Sequence, residues 1–182
     1  MVFRPSGPRL HGAPRLHRLL HMEHGMKHLL MILLCLSCGL LGSARAAVNL
    51  PPFSLPAAID GTVISSDSYR GQAMLVTFFA TWCPPCIQEI PALKAVQAQY
   101  GGQGFSVVAL AVDEGGSPVA QLVRKAAINY PVLLADQPTR NSFGGVATIP
   151  TSFLVNRSGH VVKKYPGLVP RSLLERDIES VL

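Results

Sequence analysis

Residues 73–80 read AMLVTFFA, and the chain runs from them directly into TWCPPC. A nearly unbroken apolar run, with Gly71 before it and a proline-rich turn after it, fits a central strand buried on both faces. Beyond the turn, Ile87, Ile90, Leu93, Val96 and Tyr100 recur at intervals of three and four, and the stripe stops at Gly101-Gly102. That spacing predicts a helix with one buried face. Pro91 lies inside it and removes one intrahelical hydrogen bond, so a kink is expected there. A strand buried on both faces needs cover on both, which the rest of the chain must provide.

Residues 47–60 carry three prolines and read as a linker into a short edge strand near Phe53–Leu55. Asp60-Gly61 signals a turn, and Thr62–Ile64 is the expected partner strand. Ser65 or Ser66 is placed to cap one helical turn ending at Arg70-Gly71. Phe105–Val112 is a second buried strand, and Val119–Ile128 carries a helical apolar face. Pro131–Ala135 is a short strand, and Asn141–Val146 is expected to form a helical turn. Thr151–Val155 and Val161–Tyr165 read as a hairpin around Asn156–Gly159, and Pro170 opens a last helix. Strands alternating with helices, then a hairpin and a helix, predict an α/β sandwich around one mixed sheet.

The net charge of +6 suggests an anionic partner until its distribution is considered. Residues 1–46 hold six basic residues against Glu23 alone, whereas residues 47–182 hold ten basic and nine acidic. The basicity belongs to a leader, and the body has no nucleic-acid footprint. Lys27 and His28 precede an apolar run from Leu29 to Leu41, followed by GSARAAVN with small residues at Ala44 and Ala46. This is the order of an export signal, with cleavage expected after Ala46 or, alternatively, Ala47. An uncleaved membrane anchor is the other reading, although the run is shorter than the ~20 residues of a bilayer span. A signal beginning at Met22 or Met26 has an ordinary length; otherwise the His- and Arg-rich start is a long disordered n-region. The domains are therefore residues 1–46, a leader and export signal, and residues 47–182, the folded body.

Cys35 and Cys38 fall within the apolar run of the leader, and Cys38 lacks the usual Leu three places before a lipid-bearing Cys. Cys83 and Cys86 are then the cysteines of the exported body. Five of the six histidines precede residue 29, leaving His160 in the body. A closed tetrahedral zinc site needs four ligands, which the body does not offer, and haem attachment needs a His where Ile87 stands. A purely structural disulfide remains, but so short a loop constrains the unfolded chain little. A pair at a strand-to-helix turn has a better use. The helix N-terminus carries partial positive charge and unpaired N–H groups, which stabilise a thiolate at Cys83. The two prolines cost little at the first helical positions. Cys83 is then the attacking thiol, and Cys86, one turn in, resolves the mixed disulfide.

FFATWCPPC followed by IQEIP resembles the thioredoxin superfamily, and more closely the exported TlpA/ResA/CcmG-like thiol-disulfide oxidoreductases. FGGVATIPTSFLVNRSGHVV (residues 143–162) and INYPVLLAD (residues 128–136) are similar to two further blocks of that family. The likeness covers about residues 50–180. It implies a thioredoxin-like fold with an N-terminal hairpin and a central αβ insertion. It also implies that Pro150 is a cis-proline facing the disulfide, exposing the Ile149 backbone for strand-like pairing with substrate. An ordinary turn proline is the alternative. Trp82 is expected to pack near the sulfurs, or else in plain core. Thr77 stands where cytosolic thioredoxins carry a buried, proton-accepting Asp, and it cannot take a proton. Glu89 stands where ResA-like proteins carry an active-site Glu, one helical turn after Cys86. A buried Glu89 can exchange a proton with Cys86; the alternative is an exposed acid near a helix N-terminus.

The resemblance implies a dithiol reductant of cysteine-containing proteins, with apocytochrome c as an example. Electrons are expected from a DsbD/CcdA-type membrane protein. No metal or cofactor is expected beyond the redox-active Cys83–Cys86 disulfide. Two alternatives stay open: a protein-disulfide oxidant using the same residues, and a Cu(I)-handling protein with the thiols as ligands. Related copper chaperones add a His, and His160 shows no sign of facing the site.

Overall fold

The structure, a computed structural model, describes residues 48–182; the leader and its expected cleavage point lie outside the described residues. The elements in chain order are β1 (Val48–Asn49), β2 (Ser54–Pro56), β3 (Val63–Ser65), β4 (Ala73–Phe79), α1 (Pro84–Tyr100) and β5 (Phe105–Ala111). Then come α2 (Ser117–Lys125), β6 (Val132–Leu134), α3 (Gln137–Ser142), β7 (Thr151–Val155), β8 (His160–Pro166) and α4 (Arg171–Glu179).

Six strands form one sheet in the order β1-β8-β7-β4-β5-β6, while β2 and β3 pair as a separate hairpin. β4, β5 and β6 run parallel, and β7 and β8 join antiparallel. Parallel neighbours need crossover connections, which α1 and α2 supply. This is the mixed α/β sandwich that the alternation of elements predicts, with α2 and β6 as the added αβ unit at the sheet edge.

Every residue of β4 is buried, which explains its continuous apolar run. Side chains alternate across the sheet. Ala73, Leu75 and Phe79 face a cluster containing Leu93 and Val96 of α1 and Leu174 and Ile178 of α4. Met74, Val76 and Phe78 face a second cluster, closed by Phe53 and Leu55 of the hairpin and by Phe143. Phe78 meets Phe143 edge-on at 5.1 Å between ring centroids, and Phe143 meets Phe153 at 5.2 Å. Truncating Phe78 to Ala leaves a void in that trio and costs about 3–5 kcal/mol.

Three details differ from the sequence expectation. β1 forms within the stretch read as a linker, pairing Val48 with Val161 and Asn49 with His160. α1, by contrast, follows the expectation, beginning at Pro84 and running on through Pro91. α2 ends at Lys125; Ala127 turns into positive φ and Ile128 returns its N–H to Val123 O, closing the helix early. α3 starts at Gln137 rather than near Asn141, because the Asp136 carboxylate accepts from Thr139 N at 2.8 Å and fixes the first turn there. The hairpin and the 3-10 turn at Ser66–Tyr69 agree with expectation, with Ser65 Oγ accepting from Asp67 N.

Candidate active site

β4 has β5 on one side and β7 on the other, so the chain diverges beyond its carboxyl end. In open α/β sheets such a switch point is where sites form. Cys83 sits there as the N-cap of α1, in extended conformation, and its carbonyl accepts from Ile87 N at 3.1 Å. Pro84 and Pro85 occupy the first two helical positions, where no backbone donor is lost. Cys83 and Cys86 are joined as a disulfide with Cα atoms 5.3 Å apart. Both cysteines are buried.

The loop before β7 comes against this disulfide. The Ile149–Pro150 peptide is cis, and Cys83 Sγ lies 3.8 Å from Ile149 O. Thr151 Oγ1 donates to Thr148 O at 2.7 Å, and Gly167 N donates to Pro150 O at 2.7 Å, holding the loop from both ends. The loop carrying Trp82 has an anchor that the sequence reading did not find. The Asp113 carboxylate, beyond the end of β5, accepts from Thr81 N at 3.1 Å and from Thr81 Oγ1. Nothing in the local sequence links positions 32 apart; only the parallel β4–β5 register brings them together.

Glu89 points inward. It is 3% exposed, and its carboxylate accepts from Val169 N at 3.1 Å. Burial pushes its carboxyl up to about 7, with the Val169 N–H offsetting part of that rise. Glu89, Cys86, Thr77 and Tyr130 share the lining of a cavity of about 10 Å³, about the size of one water. Burial first, and the Glu89 charge second, push the Tyr130 phenol up. Thr77 is paired across the sheet: Ser152 Oγ donates to Thr77 Oγ1 at 2.8 Å. The buried polar position on β4 is thus satisfied without a carboxylate.

Trp82 is 69% exposed, which rules out the plain-core alternative. It stands instead at the edge of a groove of about 590 Å³ whose other walls include Asp113, Arg140, Thr148 and Ile149. His160 pairs with Asn49, at the end of the β7–β8 hairpin away from Pro150. The length of β7, about 15 Å, separates it from the disulfide. Among the described residues no group of three or more His, Cys, Asp or Glu is placed to hold a metal.

Residues 45–182 match the Redoxin family. The chain belongs to that family. Two curated relatives are named thiol-disulfide oxidoreductase ResA. The protein from Bacillus thuringiensis subsp. konkukian is 27% identical over 123 residues, covering 68% of this chain and 71% of the relative. That from Geobacillus thermodenitrificans is 26% identical over 139 residues, covering 76% and 80%. A crystal structure of a thioredoxin-family thiol:disulfide interchange protein from Chlorobium tepidum TLS superposes with a TM-score of 0.72 at 36% identity, covering 77% of this chain and 99% of that one. A second Chlorobium tepidum protein, described as a candidate DsbE, gives 0.69 at 30% identity, covering 74% and 96%. This Redoxin is therefore a thiol-disulfide oxidoreductase of the ResA/DsbE type, acting on cysteine-containing proteins. Its thioredoxin-like fold follows from the same superpositions.

Proposed function

We propose that this Redoxin is an exported dithiol reductant of protein disulfides. The observation that carries the direction of electron flow is the acid beside Cys86. A strong oxidant holds its reduced form through a stabilised thiolate. Here the buried group sharing a cavity with Cys86 is a carboxylate, Glu89, and the residues between the cysteines are prolines. A neighbouring negative charge disfavours a thiolate, so the dithiol is less stabilised and its electrons pass on more readily.

The steps follow from the placement of the groups. The Cys83 thiolate, at the N-terminus of α1, attacks one sulfur of a substrate disulfide and displaces the other as a thiolate, which takes up a proton. Glu89 accepts the proton of Cys86. The Cys86 thiolate then attacks Cys83 Sγ, forms the intramolecular disulfide seen here and releases the second substrate sulfur as a thiolate, which takes up the proton that Glu89 holds or one from solvent. The substrate gains two electrons, and the enzyme loses two. Ile149, with its backbone against Cys83 Sγ, is placed to pair with the extended substrate segment, and Pro150 holds that backbone in place. Trp82 covers the substrate from the other side of the groove.

Export by the leader puts this reductant in an oxidising compartment, where it needs a supply of electrons across the membrane. A DsbD/CcdA-type donor fits that need, and apocytochrome c, whose CxxCH thiols must be reduced before haem attachment, fits as the acceptor. The test is reduction of a disulfide-bonded CxxCH peptide by the reduced protein. Reduction at least about tenfold faster than by dithiothreitol at equal thiol concentration supports the proposal. A rate no higher than that of dithiothreitol, with ready oxidation of dithiol peptides by the disulfide form, would overturn it.

A further inference from the structure

Asp113, Glu114 and Arg140 of α3 all line the groove beside Trp82. Asp113 is committed to Thr81, through both the N–H and the hydroxyl. Glu114 is exposed, with no ion pair among the described residues. Arg140 makes no ion pair among the described residues either, although its charge helps to hold the Asp136 carboxyl low; its Nη2 donates to the neutral Gln137 side chain. Its Nε is shut off from solvent and has no acceptor at all. A half-buried guanidinium that lines a groove and keeps one buried N–H unpaired is short of an acceptor, and burial makes that shortage costly. The acceptor its planar fork fits best is a carboxylate.

The groove reaches Ile149, whose carbonyl lies 3.8 Å from Cys83 Sγ, so a chain laid along it brings its own cysteine to the nucleophile. We propose, resting on the reductant reading above, that Arg140 is a specificity-determining residue selecting substrate segments with an acidic residue close to the reacting cysteine. Binding turns the guanidinium onto the incoming carboxylate. Glu114, which also lines the groove, repels a second acid and favours a basic or neutral residue beside it. The selected substrate is thus a polypeptide disulfide with an acid on one side of its cysteine.

The experiment uses full-length reduced protein and two sets of disulfide peptides, identical except for Asp or Lys at each position within three residues of the cysteine. Each second-order rate is divided by the same protein's rate with neutral 4,4′-dithiodipyridine. At low salt the wild type prefers the Asp peptide by about fivefold at one or more positions. At about 0.5 M salt the preference falls towards one. Arg140→Gln removes the preference and Arg140→Glu inverts it. An equal Asp-to-Lys ratio in the wild type and Arg140→Glu, at every position, overturns the proposal. The ratio is also measured for oxidation of the dithiol peptides by the disulfide form, so a reversed direction of electron flow does not disturb the test. Glu114→Lys, which leaves Arg140 in place, raises the preference for Asp if the assignment holds; a fall in that preference counts against it.

Discussion

Replacing Glu89 by Gln keeps the size of the side chain and leaves an amide oxygen to accept from Val169 N, but removes the carboxyl proton equilibrium. Burial raises this carboxyl from its ordinary 4.5 to about 7. Below pH 4.5 the group is protonated in both folded and unfolded chains and has no effect on the pH dependence of stability. Between 4.5 and about 7 the folded chain holds a proton that the unfolded chain has released, so stability falls as pH rises. Above about 7 the loss is complete. At about 1.4 kcal/mol per pH unit, the full loss is about 3 kcal/mol. The assay is urea unfolding of the oxidised protein at pH 4.5 and pH 8, for the wild type and Glu89→Gln. With the cysteines bonded and all other groups common to both proteins, the difference between the two pH slopes isolates Glu89. The wild type should lose about 3 kcal/mol more than the variant on going to pH 8. Parallel pH profiles would refute the buried, protonated carboxyl, and with it the proton-transfer role assigned to Glu89.

The assignment of roles to the two sulfurs predicts that Cys86→Ala accumulates mixed disulfides with peptide substrates through Cys83, whereas Cys83→Ala accumulates none; mass spectrometry of trapped adducts decides, and equal trapping by both variants contradicts the order of attack. The Ser152–Thr77 hydrogen bond, buried on both sides, predicts that Thr77→Val destabilises the fold by about 1–3 kcal/mol, because the Ser152 hydroxyl is left without an acceptor. Adding Ser152→Ala to that variant should recover most of the loss in urea denaturation, and an additive second loss would show that the pair is not coupled.

Much of this architecture was readable from residue patterns because the central strands are buried on both faces. β4, β5 and β7 show as apolar runs, and both core clusters draw on them. β1 left no such trace. It is two residues long, Val48 is exposed, and its pairing to β8 rests on backbone groups alone. α3 was placed too late along the chain, although Asp136 three residues before Thr139 is a capping signal. Cys83, Cys86 and Glu89 were legible from their spacing within one turn and one helix, and the inward aim of Glu89 agrees with its place on the buried stripe of α1. Asp113, Tyr130 and Arg140 were not, since each reaches the site from another segment and depends on the sheet register for its neighbours. The exposure of Trp82 was equally hidden: an aromatic residue beside a core strand leaves both a site and a core placement open until the turn that carries it is known.

The reduction potential of the Cys83–Cys86 pair tests the central claim most directly, by equilibrating the protein in dithiothreitol redox buffers and counting free thiols. A dithiol reductant should lie below about −230 mV, towards the thioredoxin value of about −270 mV. A potential near about −120 mV, where strong disulfide donors lie, would contradict the account and reverse the flow of electrons.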